Sequence, residues 1–124
     1  MRFLRFLFGA GLVLLFVASA GAHHSFAALF DASRTVTLSG KVTEFEFQAP
    51  HSYIHIEVSS QNGEKAAWQI ETTTPGMLIR KGITPDTLHA GQTISVTGNP
   101  TRDGRNIIRL LSIAMPDGTQ IDVQ

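Results

Sequence analysis

A chain of 124 residues with ten basic against ten acidic side chains and no cysteine is enough for one domain. It has no disulfide framework and carries no net field built to neutralise phosphates. The missing cysteine also excludes the lipid-attachment residue of a bacterial lipoprotein.

The first segment, residues 1–22, opens on Arg2 and Arg5, runs through apolar Phe6 to Val17 and ends in the small residues Ala18-Ser19-Ala20-Gly21-Ala22. That order spells a secretory signal peptide. Its apolar run is about a dozen residues, short of the roughly 18 or more a spanning helix needs. Two A-x-A frames place cleavage after Ala20 or after Ala22. Removing residues 1–22 takes away two arginines and no acid, leaving eight basic against ten acidic residues. The expectation is a mildly acidic periplasmic or secreted protein, with no membrane insertion once the signal is cleaved.

Residues 23–34 form an N-terminal arm in which Phe26, Leu29 and Phe30 stand at i, i+3, i+4, a helical spacing over barely one turn. From Thr35 the period changes to two. Val36, Leu38 and Val42 share one phase with Gly40, and then Phe45 and Phe47 take over on odd positions. One extra residue near Thr43-Glu44 gives that slip, the signature of a β-bulge in a bent strand. A corner follows at Ala49-Pro50-His51-Ser52, then a strand in which Ile54, Ile56 and Val58 alternate with Tyr53, His55 and Glu57.

The third strand, Ala66 to Glu71, sets Trp68 and Ile70 on one face. A two-residue Asn62-Gly63 turn would pair Ile56 with Gln69. A three-residue turn, Gln61-Asn62-Gly63 with Gly63 left-handed, pairs Ile56 with Trp68 and Ile54 with Ile70 and keeps apolar residues together. The three-residue turn is therefore expected.

Thr74-Pro75 is a helix opening and Gly82 a stop, giving a two-turn helix over Pro75 to Lys81. Thr84 to Leu88 repeats the opening as a single turn. Thr93 to Gly98 reads as a strand, Asn99 to Asn106 as an exposed, charged hairpin loop, Ile107 to Met115 as the fifth strand, and Thr119 to Val123 as a short final strand. Three strands, a short helix and two more strands, with a long bulged first strand, describe an all-β fold with one short helix. The arrangement is a five-stranded OB-like small barrel over residues 35–124, with a small open β-roll as the alternative.

The chain resembles small exported bacterial proteins of the family named domain of unknown function 6152. The likeness rests on HHSF at 23–26, Phe30-Asp31, the V-x-L-x-G-x-V of Val36 to Val42, Pro50-His51, Trp68 and Glu71, Leu78 with Arg80 and Gly82, Gly91, and Pro100 with Arg102-Asp103-Gly104. Relatives are expected to carry Asn before the Pro-His pair; Ala49 stands there, so any role of that asparagine does not carry over. The resemblance implies an exported β domain and assigns no activity.

Two sets of histidines invite chemistry. With cleavage after Ala22, His23 offers its α-amine and ring nitrogen to one ion, and a further histidine completes a three-nitrogen site suited to copper. Cleavage earlier, leaving Ala22-His23-His24, also chelates Cu(II). A strand at about 3.3 Å per residue holds His51 and His55 about 13 Å apart, too far to share an ion. His51, at the corner, is thus the partner for His23 and His24, and His55 reads as a surface residue.

No catalytic set is recognisable: Ser25, Ser39 and Ser52 lack a nucleophile-elbow context, and the polar stripe of Tyr53, His55, Glu57 and Glu71 suits the solvated side of a sheet. Nucleic acid is set aside as a partner, because the exported chain is acidic and Trp68, Phe45 and Phe47 fall in inward phases. Arg102, Arg105 and Arg109 read as a solvated hairpin. The resulting expectation is a non-catalytic exported OB-like binding module for a periplasmic protein or small ligand. The alternative is a copper-binding protein using His23, His24 and His51.

Overall fold

Alternating apolar residues from Val36 onward oblige the chain to form strands with one dry face, and the computed structural model, which describes residues 27–124, has them in that form. The elements are β1 (Val36–Glu46), β2 (Tyr53–Ser59), β3 (Lys65–Glu71), α1 (Pro75–Arg80), β4 (Thr93–Pro100), β5 (Ile107–Ala114) and β6 (Gln120–Asp122). The signal peptide, His23 and His24 lie outside the described residues. Among the described residues no helix is long and apolar enough to cross a membrane.

The strands follow the order β3-β2-β1-β4-β5-β6, and a parallel pairing of β3 with β5 closes the first five into a barrel. β1 serves both halves, pairing with β4 through Val36 to Lys41 and with β2 through Lys41 to Glu46. It changes partner at Lys41, just ahead of the expected bulge, where the register shifts between Val42 and Glu44. The inward residues, Ile54, Ile56, Ile70, Val96, Ile108 and Ile113 among them, are at most 1% exposed and make one continuous core.

Where strands of so small a barrel cross, backbone approaches backbone. A Cβ at Gly98 would collide with the carbonyl oxygen of Arg109, and one at Gly40 would lie 2.7 Å from that of Glu57. Glycine is what permits the approach.

The β2–β3 hairpin turns through Gln61-Asn62-Gly63. Gly63 has φ +85°, the Ser60 amide donates to the Glu64 carbonyl at 2.8 Å, and the register sets Ile56 opposite Trp68 and Ile54 opposite Ile70. The three-residue reading holds because it keeps apolar residues opposite one another. In α1 the Thr74 hydroxyl accepts from the Met77 amide at 3.3 Å, Pro75 takes the first turn, and Leu78 is buried in the core.

Two expectations are corrected. Asn99 to Asn106 is not wholly an exposed loop, since β4 continues to Pro100 and Asn99 and Thr101 are buried. The N-terminal arm lies on this segment. Phe30 bridges to Thr101, the Asp31 amide donates to the Pro100 carbonyl at 2.9 Å, and Asn99 Nδ2 donates to the Arg34 carbonyl at 2.7 Å. The charged arginines do not form one solvated hairpin cluster either. Arg102 reaches Asp31 at 3.7 Å, Arg105 pairs with Asp103 at 2.7 Å, and Arg109 sits in β5 facing Glu71.

Candidate functional site

Register decides which polar side chains share the outer wall of the barrel. Across β1, β2, β3 and β5 one row reads Glu46, Tyr53, Glu71, Arg109, and the next reads Glu44, His55, Gln69, Ile107. The bulge makes the second row possible. Val42 faces Ile56, and one extra residue brings Glu44, rather than Thr43, opposite His55.

The corner feeds the same wall. Ser52, fully buried, holds it in place. Its amide donates to the Thr73 carbonyl at 3.1 Å, its carbonyl accepts from the Thr72 amide at 2.9 Å and from the Thr72 hydroxyl at 2.8 Å, and its own hydroxyl donates to the Gln48 carbonyl at 3.1 Å. From this anchor His51 projects its ring to Glu71, Nδ1 lying 2.8 Å from Oε1. Because a carboxylate only accepts, Nδ1 carries the proton in this contact. Arg109 Nη1 lies 3.5 Å from the same oxygen, so Glu71 draws one group from the corner and one from β5.

On the other flank of Tyr53, His55 Nε2 donates to Glu46 Oε1 at 3.1 Å, and Gln48 Nε2 donates to Glu46 Oε2 at 3.3 Å. The Tyr53 hydroxyl is held above its usual pKa, first by burial and then by the Glu71 and Glu46 carboxylates, with Arg109 opposing. Beside these groups lies a cleft of about 440 Å³, with Glu44, His55, Trp68, Gln69 and Asn106 in its walls.

Of the three metal ligands expected from the sequence, His51 stands on this wall, while His23 and His24 lie outside the described residues. His55, expected to be an ordinary surface residue, is half-buried and hydrogen-bonded to Glu46. Its ring and the carboxylates of Glu44 and Glu46 bring three ligand atoms within 4.8 Å of one another. The phase slip at Thr43-Glu44 was the sequence signal for this group. Carrying the β1–β2 pairing through it would have put Glu44 beside His55.

A model of a family of unknown function, DUF6152, matches residues 12–108. No curated protein matches the chain. Among solved structures the chain is similar to Rim1, a mitochondrial single-stranded DNA-binding protein of S. cerevisiae, at 11% identity and TM-score 0.52, over 66% of this chain and 92% of that one. A small single-stranded DNA-binding protein from Streptomyces coelicolor matches at 12% identity and TM-score 0.41, over 66% of this chain and 90% of that one. The likeness to Rim1 shows the OB-type barrel.

It also corrects the exclusion of nucleic acid, because a protein named for binding single-stranded DNA is built on this barrel. The physical grounds for the exclusion were incomplete as well. Trp68, Phe45 and Phe47 are only partly buried, and Trp68 lines the cleft.

Proposed function

The chain belongs to the DUF6152 family, which brings no activity with it, and from that premise we propose a non-catalytic, exported OB-type binding module. Its ligand surface is the outer wall of β1, β2 and β3, and its ligand is a periplasmic protein or small molecule. One observation carries the reading: the paired groups His51–Glu71 and His55–Glu46 flank Tyr53, and His55 carries this row into the wall of an open cleft. Polar side chains held by one another on barrel strands are pre-ordered, so a ligand meets them with little conformational entropy left to lose. Export is supported by the signal-peptide pattern of residues 1–22.

The test is a set of amide NMR titrations of the labelled protein with a periplasmic protein fraction, a protein-free periplasmic extract and an oligodeoxythymidine. Shifts centred on Tyr53, His55, Gln69 and Glu71 with either periplasmic fraction are expected. Shifts on this wall with the oligonucleotide alone would assign nucleic acid instead, and no shifts on it with any probe would remove the surface from consideration.

A second reading, copper binding through His23, His24 and His51, draws on a separate observation. His51 Nδ1 is held by Glu71, and its Nε2 makes no hydrogen bond among the described residues. A carboxylate behind one ring nitrogen is how metal-ligating histidines are oriented. Cu(II) EPR on the exported protein is expected to give a nitrogen-ligand signal that changes in His51→Ala. An identical spectrum in that variant would remove the corner from the site.

A further inference from the structure

The geometry points to a second, separate metal site on the same wall: Glu44, Glu46 and His55 form a three-ligand Zn²⁺ site whose remaining positions open into the adjoining cleft. It depends on neither the binding-module reading nor His51. The three ligand atoms lie within 4.8 Å of one another, and His55 Nε2 is already 3.1 Å from Glu46 Oε1. Bonds of about 2.0–2.1 Å to a tetrahedral zinc set neighbouring ligand atoms roughly 3.3–3.5 Å apart. The His55–Glu46 contact is therefore close to that spacing, and the exposed Glu44 side chain has the freedom to close the rest.

The donor set is one imidazole and two carboxylates. Nitrogen favours a borderline transition ion over Mg²⁺ or Ca²⁺, and the absence of thiolate disfavours soft Cu(I). On zinc binding the His55–Glu46 hydrogen bond is given up: the neutral imidazole ligates through the Nε2 lone pair in the tautomer whose single ring proton sits on Nδ1.

Two further observations are independent of the ligand spacing. Glu44 makes no ion pair among the described residues, although it stands beside the Glu46 carboxylate. Two carboxylates held close repel each other, and a divalent cation removes that cost. The cleft of about 440 Å³ has Glu44 and His55 in its wall and Thr43, Gln69 and Asn106 around it. The open coordination positions thus have room for water or for a ligand's oxygen.

Isothermal titration of the full chain with Zn²⁺ alone tests this. Uptake that is weakened in both His55→Ala and Glu44→Gln is expected, and His51→Ala should retain it. Since removing even an outer-shell partner of a metal costs about 10–100-fold in affinity, losing either ligand should cost at least about tenfold. Glu44→Gln changes an exposed side chain and relieves the repulsion from Glu46, so its thermal midpoint without zinc should equal or exceed the parent's, which separates ligand loss from misfolding. No zinc uptake, uptake unchanged in either variant, or loss in His51→Ala alone would overturn the site.

Discussion

The two faces of the β2–β3 hairpin are made from alternate residues of the same fourteen-residue pairing, yet they solve opposite problems. Inward, Ile54, Ile56 and Ile70 are at most 1% exposed and belong to the continuous apolar core. Outward, Tyr53, His55 and Glu71 are half-buried and meet one another or neighbouring polar groups across strands. The inner face is held by burial, which is strong and indifferent to direction. The outer face is held by directed contacts of small net worth, because exposed ion pairs contribute about 0–1 kcal/mol. Stability therefore lives inside, and the proposed ligand surface outside.

The contrast can be broken from either side. Ile70→Ala removes buried methyl groups at the centre of the core and is expected to destabilise by about 3 kcal/mol, read from chemical denaturation. Gly98→Ala pushes a Cβ against the Arg109 carbonyl and should cost about 2 kcal/mol by the same measurement, because β4 must move away from β5. Glu71→Gln, one residue from Ile70, removes the charge facing His51 and Arg109 and should cost only about 0.5 kcal/mol. A loss as large as that of Ile70→Ala would show that the outer wall is structural.

The smallest effect concerns Tyr53, whose folded pKa is raised. As pH climbs past about 10, the ordinary tyrosine value, the unfolded chain loses this proton before the folded one does. The stability tied to the neutral hydroxyl is present below that pH and is lost as pH rises through the folded value. Tyr53→Phe should flatten the fall in denaturation midpoint between about pH 9 and pH 11.

Much of this contrast was legible in the residues themselves. Period-two alternation gave the phase of β2 and β3, the phase slip gave the bulge in β1, and opposing apolar residues chose the turn at Gly63. The missing parts depend on contacts between segments far apart in the chain. Asn99-Pro100 reads locally as a turn, yet it stays paired with β5, Asn99 opposite Arg109 and Pro100 opposite Ile108, while the N-terminal arm lies against it. Glu71 meets His51 from twenty positions away, and Arg109 joins them only because β3 and β5 run side by side in parallel. The expected fifth strand, Ile107 to Met115, already separated Arg109 from Arg102 and Arg105 in the loop, but local pattern could not say that it would face Glu71. Net acidity was also a poor guide to partners, since it averages over faces that differ as much as these do.

The parallel seam between β3 and β5 has a consequence for how the protein behaves in a crowded compartment. A sheet of this length left open would offer the unpaired backbone of β3 to any passing chain, and such edges template aggregation. Here β3 is paired with β2 along its whole length and with β5 over Gln69 to Glu71, and among the described strands the three-residue β6 ends the sheet. The stretch of β3 left for a second copy to extend is Lys65 to Trp68, where Asn106 Nδ2 already donates to the Ala67 carbonyl at 3.3 Å. Closing the barrel thus works as a solubility device as much as a scaffold, and a substitution that loosened the seam would first be seen as clumping on storage, before any loss of the folded core.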